Sequence, residues 1–74
     1  MKAIVWSKPA CTYCTQAKNL LKKNGIEFEE RDITSGQWTV EQLKEAVPGA
    51  MRVPQIFLNE QYIGGFNELR KHFQ

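Results

Sequence analysis

The sequence predicts an α/β sandwich of order βαβαββα, with three helices on a mixed four-stranded sheet. Three observations lead there. Ala3-Ile4-Val5-Trp6 is an apolar run without polar alternation, as a central strand covered on both faces requires. A stretch of helical period and then a more polar extended one follow it, and together they make a right-handed βαβ unit with parallel strands. Further on, two extended runs flank Asn59-Glu60, which reads as the tight turn of a hairpin.

Each element has its own signals. The first strand ends at Ser7-Lys8-Pro9-Ala10. From about Thr12 to Asn24, Cys14, Ala17 and Leu21 recur three and four residues apart, joined by Leu20, while Gln16, Lys18, Lys22 and Lys23 fall outside that face. Gly25 is a natural stop, and the lysines of the last turns suit the negative end of the helix dipole. Ile26 to Ile33 reads as a strand whose charges place it at a sheet edge. After the Ser35-Gly36-Gln37 loop, Thr39-x-x-Gln42 forms a capping box with Trp38 and Leu43 as a hydrophobic staple, and a helix runs from about Val40 to Val47. Pro48-Gly49 ends it. Val53 to Leu58 and Gln61 to Ile63 are the hairpin strands, Gly64-Gly65 breaks the second, and Asn67 caps a last helix on which Leu69 and Phe73 share a face.

Size and composition narrow the function. A chain of 74 residues is one domain, and at that size it buries only roughly 60% of the surface its unfolded form exposes, so nearly every large apolar side chain is needed in the core. Trp6, Phe28, Phe57 and Phe73 are assigned there. The net charge of +2 is interspersed rather than gathered into a stripe, which does not suit a nucleic-acid binder. Apolar runs fall far short of the roughly 20 residues that cross a bilayer, and Met1-Lys2 leads straight into a strand, so a cytoplasmic protein without a membrane partner is expected.

The chemistry concentrates in Cys11-Thr12-Tyr13-Cys14, which holds the only two cysteines. At this spacing the backbone can bring both sulfurs together. At a strand-to-helix junction, the unpaired N–H groups and positive dipole end favour thiolate on the first of them. In a reducing compartment such a pair is catalytic or metal-binding rather than a structural staple. A structural zinc site needs four ligands, and two cysteines with the distant His72 fall short; His72 also lies too far along the chain to serve as the base.

Three motifs stand in order: Lys8-Pro9-x-Cys11-x-Tyr13-Cys14, Val53-Pro54-Gln55-Ile56-Phe57 and Ile63-Gly64-Gly65-Phe66. On these the chain resembles the glutaredoxin family, a branch of the thioredoxin fold, over essentially its whole length. The resemblance implies a thioredoxin-like βαβαββα sandwich over residues 1–74, acting as a monomeric dithiol oxidoreductase. Such a protein reduces protein disulfides and glutathione mixed disulfides with glutathione as reductant, and ribonucleotide reductase is a client by resemblance only. Cys11 is then the nucleophile, and Cys14, on the inward face, attacks second. Val53-Pro54 is expected to be cis and to face Cys11, leaving the Val53 backbone free to pair with a bound peptide. Strand-opening proline without that role is the simpler alternative.

The same resemblance places glutathione. Lys8 faces its glycyl carboxylate, and N–H groups of Phe66, Asn67 and Glu68 hold its γ-glutamyl carboxylate. The double glycine allows its close approach, and Glu68 stands where relatives place an aspartate for the ligand's amino group. Tyr13, Arg52, Val53, Pro54 and Gly65 complete the implied site. The plainer readings are a solvated Lys8 and Arg52, with Asn67 only a cap and Glu68 only a first-turn acid.

Three residues depart from the family pattern. Thr12 replaces proline, Arg52 replaces a frequent threonine, and Glu41 lies where relatives offer arginine or glutamine. Some relatives lacking that proline bind a glutathione-ligated [2Fe-2S] cluster through Cys11 of two chains, which a brown protein after anaerobic expression would reveal. A redoxin fed by thioredoxin reductase is the other rival, separable by coupled reductase assays.

Overall fold

The computed structural model describes residues 1–74. In chain order the elements are β1 (Lys2–Ser7), α1 (Thr12–Lys23), β2 (Glu27–Asp32), α2 (Val40–Ala46), β3 (Gln55–Leu58), β4 (Gln61–Gly64) and α3 (Phe66–His72). The sheet order is β2-β1-β3-β4, with β1 and β2 parallel and the other two pairings antiparallel. This is the expected mixed sheet, with the charged β2 at an edge.

Successive residues of β1 face opposite layers, which splits the core in two. Ala3 and Val5 pack with Ala17 and Leu21 of α1 and Leu69 of α3. Trp6 instead packs with Leu43, Val47 and Ala50, beneath α2. α1 is sealed at its end by the Gly25 turn (φ +70°), where Ile26 N–H donates to the Leu21 carbonyl at 2.9 Å and Gly25 N–H to the Lys22 carbonyl at 3.0 Å. The capping box of α2 is formed: Gln42 N–H donates to Thr39 Oγ1 at 3.1 Å, and Thr39 N–H to Gln42 Oε1 at 2.8 Å. Trp38 packs on the cluster that contains Leu43, with its ring edge-on to Trp6 at 5.5 Å and the Arg31 guanidinium 4.1 Å over it.

β2 is one residue shorter at each end than expected, and β4 continues through Gly64, so that only Gly65 breaks it. Two other boundaries bear on the site. β3 begins at Gln55 rather than Val53, because Pro54 has no N–H to give and pairing with β1 ends at Trp6↔Gln55. Nor does Asn67 cap the last helix. Gly65 is the N-cap in extended conformation, and Glu68, three residues on, reaches back so that its Oε1 accepts from Gly65 N–H at 2.7 Å. The Asn59-Glu60 turn takes positive φ at both residues (48° and 69°), as a two-residue hairpin turn requires.

Candidate functional site

Cys11 is the N-cap of α1, in extended conformation and partly exposed. Its Sγ accepts from Cys14 N–H at 3.2 Å, so the sulfur does the work that a serine or aspartate oxygen does at other helix starts. A thiolate there receives a charge-assisted hydrogen bond in addition to the helix field. Cys14, 1% exposed, lies in the inward turn and is joined to Cys11 as a disulfide, their Cα atoms 5.2 Å apart. One sulfur thus meets solvent and the other does not.

Across the sheet end, Cys11 Sγ lies 3.9 Å from the Val53 carbonyl oxygen, and the Val53-Pro54 bond is cis. The main-chain N–H groups of Met51, Arg52 and Val53 take part in no main-chain hydrogen bond of the fold. This bent segment passes beside the nucleophilic sulfur with those groups free of the sheet ladder.

Beside this segment a cavity of about 440 Å³ opens. Tyr13 and Phe66 form one wall, stacked with ring centroids 5.8 Å apart. Arg52, Val53 and Pro54 form another, and Gly65, Asn67 and Glu68 close it at the start of α3. The structure therefore gathers eight of the residues the resemblance implied. Lys8 is not among them; it lines a neighbouring groove together with Arg52 and Val53.

The double glycine serves the protein itself. A Cβ on Gly64 would come within 2.7 Å of Glu68 Cγ, and one on Gly65 within 3.3 Å of the Pro54 carbonyl oxygen. The space beside Gly64 is taken by Glu68, while Gly65 lines the cavity.

Two lining residues escaped the sequence reading, Gln55 and Tyr62. Tyr62 Oη donates to Gln55 Oε1 at 2.6 Å, and Gln55 Nε2 donates to the Arg52 carbonyl at 2.9 Å. By sequence Gln55 is an ordinary interior residue of the Val53 to Leu58 strand. The available signal was a polar residue directly after Pro54, in a strand otherwise apolar.

A dithiol with one exposed and one buried sulfur, at the helix start of this four-stranded sandwich, defines a thiol–disulfide oxidoreductase of the thioredoxin fold. The Glutaredoxin family model matches residues 3–63, and the chain belongs to that family. Glutaredoxin 3 of Escherichia coli (strain K12) is 37% identical over 65 residues, covering 88% of this chain and 77% of that one. The hybrid peroxiredoxin hyPrx5 of Haemophilus influenzae is 39% identical over 69 residues, 93% of this chain, yet this chain spans only 28% of that longer protein. Among solved structures, a buckwheat glutaredoxin–glutathione complex superposes with a TM-score of 0.79 at 27% identity, over 96% of this chain and 67% of that one.

Proposed function

We propose that the chain reduces glutathione mixed disulfides and protein disulfides at the expense of glutathione. The observation that carries this is Cys11 as a partly exposed sulfur N-cap, beside an unpaired segment and a tripeptide-sized cavity. The likeness to a glutaredoxin solved with glutathione supports it.

In the first step the Cys11 thiolate attacks the glutathionyl sulfur of a mixed disulfide. A Cys11–glutathione disulfide forms, and the client leaves as a thiolate that takes a proton from water. A second glutathione, as thiolate, attacks the glutathionyl sulfur and restores Cys11, with oxidised glutathione as product. For a protein disulfide, Cys11 is linked to the client until Cys14, as thiolate, attacks the Cys11 sulfur. That releases the reduced client and leaves the intramolecular disulfide seen in the structure. Two glutathiones then reset the pair, the first attacking Cys11 and expelling Cys14 thiolate.

Binding follows from the lining. The extended peptide pairs with the Val53 backbone, Tyr13 and Phe66 flank it, and Arg52 meets the glycyl carboxylate, while Lys8 stands in the neighbouring groove. The first N–H groups of α3, at Phe66, Asn67 and Glu68, lack intrahelical acceptors and meet the γ-glutamyl carboxylate. Glu68 already accepts from Gly65 through Oε1, which leaves Oε2 and the second lone pair of Oε1 for the ligand's ammonium.

The test is turnover of a small glutathione mixed disulfide with glutathione, glutathione reductase and NADPH. Turnover that disappears on replacing Cys11 supports the proposal. No turnover by folded, reduced protein refutes it.

A further inference from the structure

A second opening lies beside the nucleophile. Between the Arg52 segment and α2 runs a groove of about 310 Å³, and Arg52 and Val53 belong to its wall as well as to that of the first cavity. Ile33, Leu43 and Ala50 give it an aliphatic floor. Its outer edge holds Val40, 39% exposed, and Met51, 93% exposed. A methionine so exposed adds nothing to a core that is short of apolar residues, and its thioether adapts readily to a partner's surface.

The charge is one-sided. Lys8, Lys44 and Arg52 line the groove and no carboxylate does, although α2 also carries Glu41 and Glu45. Lys44, Val40 and Met51 line this groove and not the cavity assigned to glutathione. Arg52 and Val53, whose N–H groups make no main-chain hydrogen bond, stand in the walls of both openings, so a chain pairing with them would reach from one to the other.

We propose that this groove docks the stretch of a protein client that flanks its disulfide, and that it selects stretches bearing an aliphatic side chain next to Asp or Glu. The aliphatic side chain would cover the floor beside Met51, and the carboxylate would meet Lys44. The inference rests on the disulfide-reductase reading above and extends it from a tripeptide to longer substrates. Charges at such a rim act mainly on the rate of encounter, so the preference weakens as salt rises.

The test uses redox-inert peptides of about eight residues, with serine in place of the client cysteine, titrated into ¹⁵N-labelled protein. One peptide carries leucine with two glutamates, and the other carries leucine with two lysines at the same places. The acidic peptide is expected to bind about fivefold more tightly at low salt and to shift the amides of Val40, Lys44 and Met51. Lys44 is exposed, so Lys44→Glu keeps the fold and should reverse the order of the two peptides. Equal affinities, or shifts confined to the first cavity, would overturn the proposal. Turnover of the small mixed disulfide, run in parallel, tests the glutathione reading separately, because peptide binding needs no thiol exchange.

Discussion

Tyr62 Oη donates to Gln55 Oε1 at 2.6 Å, which ties β4 to the first residue of β3 across the hairpin. Gln55 is 8% exposed, and its amide passes the link on to the Arg52 carbonyl. The polypeptide before Pro54 is therefore braced from behind by side chains rather than by sheet hydrogen bonds. That bracing holds the unpaired segment opposite Cys11.

Replacing Tyr62 by phenylalanine removes one link and leaves Gln55 Oε1 without its donor. A loss of about 0.5–1.5 kcal/mol in unfolding free energy is expected from urea titration. If the bracing positions that segment for substrate, KM for a glutathione mixed disulfide should rise more than kcat falls. A variant with unchanged KM would reduce the link to a structural contact.

The two cysteines should separate in steady-state assays. Cys11→Ser is expected to abolish every thiol exchange. Cys14→Ser should keep activity on glutathione mixed disulfides, whose reduction passes through Cys11 alone. Equal loss in both variants would reverse the assignment of nucleophile and resolving thiol.

Gly64 and Gly25 make an internal comparison. Both take positive φ, +118° and +70°, but only Gly64 has a neighbour where a Cβ would go, the side chain of Glu68. Gly25→Ala is expected to cost about 1 kcal/mol for backbone strain alone. Gly64→Ala carries backbone strain of up to about 3 kcal/mol and also displaces Glu68 from the Gly65 cap. Thermal or urea unfolding of the pair would read the difference, and equal costs would mean that neither the larger φ nor displacement of Glu68 adds a penalty at Gly64.

Glu30 links acid pH to stability. The hydrogen bond from Lys18 Nζ, at 2.8 Å, holds its carboxyl below the ordinary 4.5; burial opposes this and the Ser7 hydroxyl adds to it. A depressed folded-state pKa contributes stability that is present above the unfolded value and lost as pH falls through the folded one. With the Glu30 side chain 39% exposed, the contribution is about 0.2–1 kcal/mol. The stability advantage over Glu30→Gln should be constant near neutrality and shrink below about pH 4.5. Urea midpoints across pH 3–7 would show it, and an advantage that grew with acid would contradict the assigned sign.

Much of the molecule was legible because the determining interactions are local. The Cys14, Ala17 and Leu21 spacing, the Thr39 and Gln42 box, the Asn59-Glu60 turn and the Cys11-x-x-Cys14 pair each act within about one helical turn, and a linear reading captures that range. The same reading went wrong where two strands of information competed. Asn67 is a better cap than glycine by residue preference, yet Gly65 takes the position, where Glu68 reaches back to it and the Pro54 carbonyl leaves only a tight fit for a Cβ.

What only the tertiary structure decided depends on contacts between residues brought together by sheet register. Gln55 meets Tyr62 because the hairpin folds β4 back along β3 through the irregularity at Ile56 and Phe57. Lys8 falls on the groove side of Val53 rather than in the cavity, although the same motif that carries Cys11 also carries Lys8. The sequence alone thus determined which chemistry the chain carries and on which fold. The shape and division of the space around that chemistry were decided by packing, since side chains far apart in the chain acquire their distances only when the sheet closes.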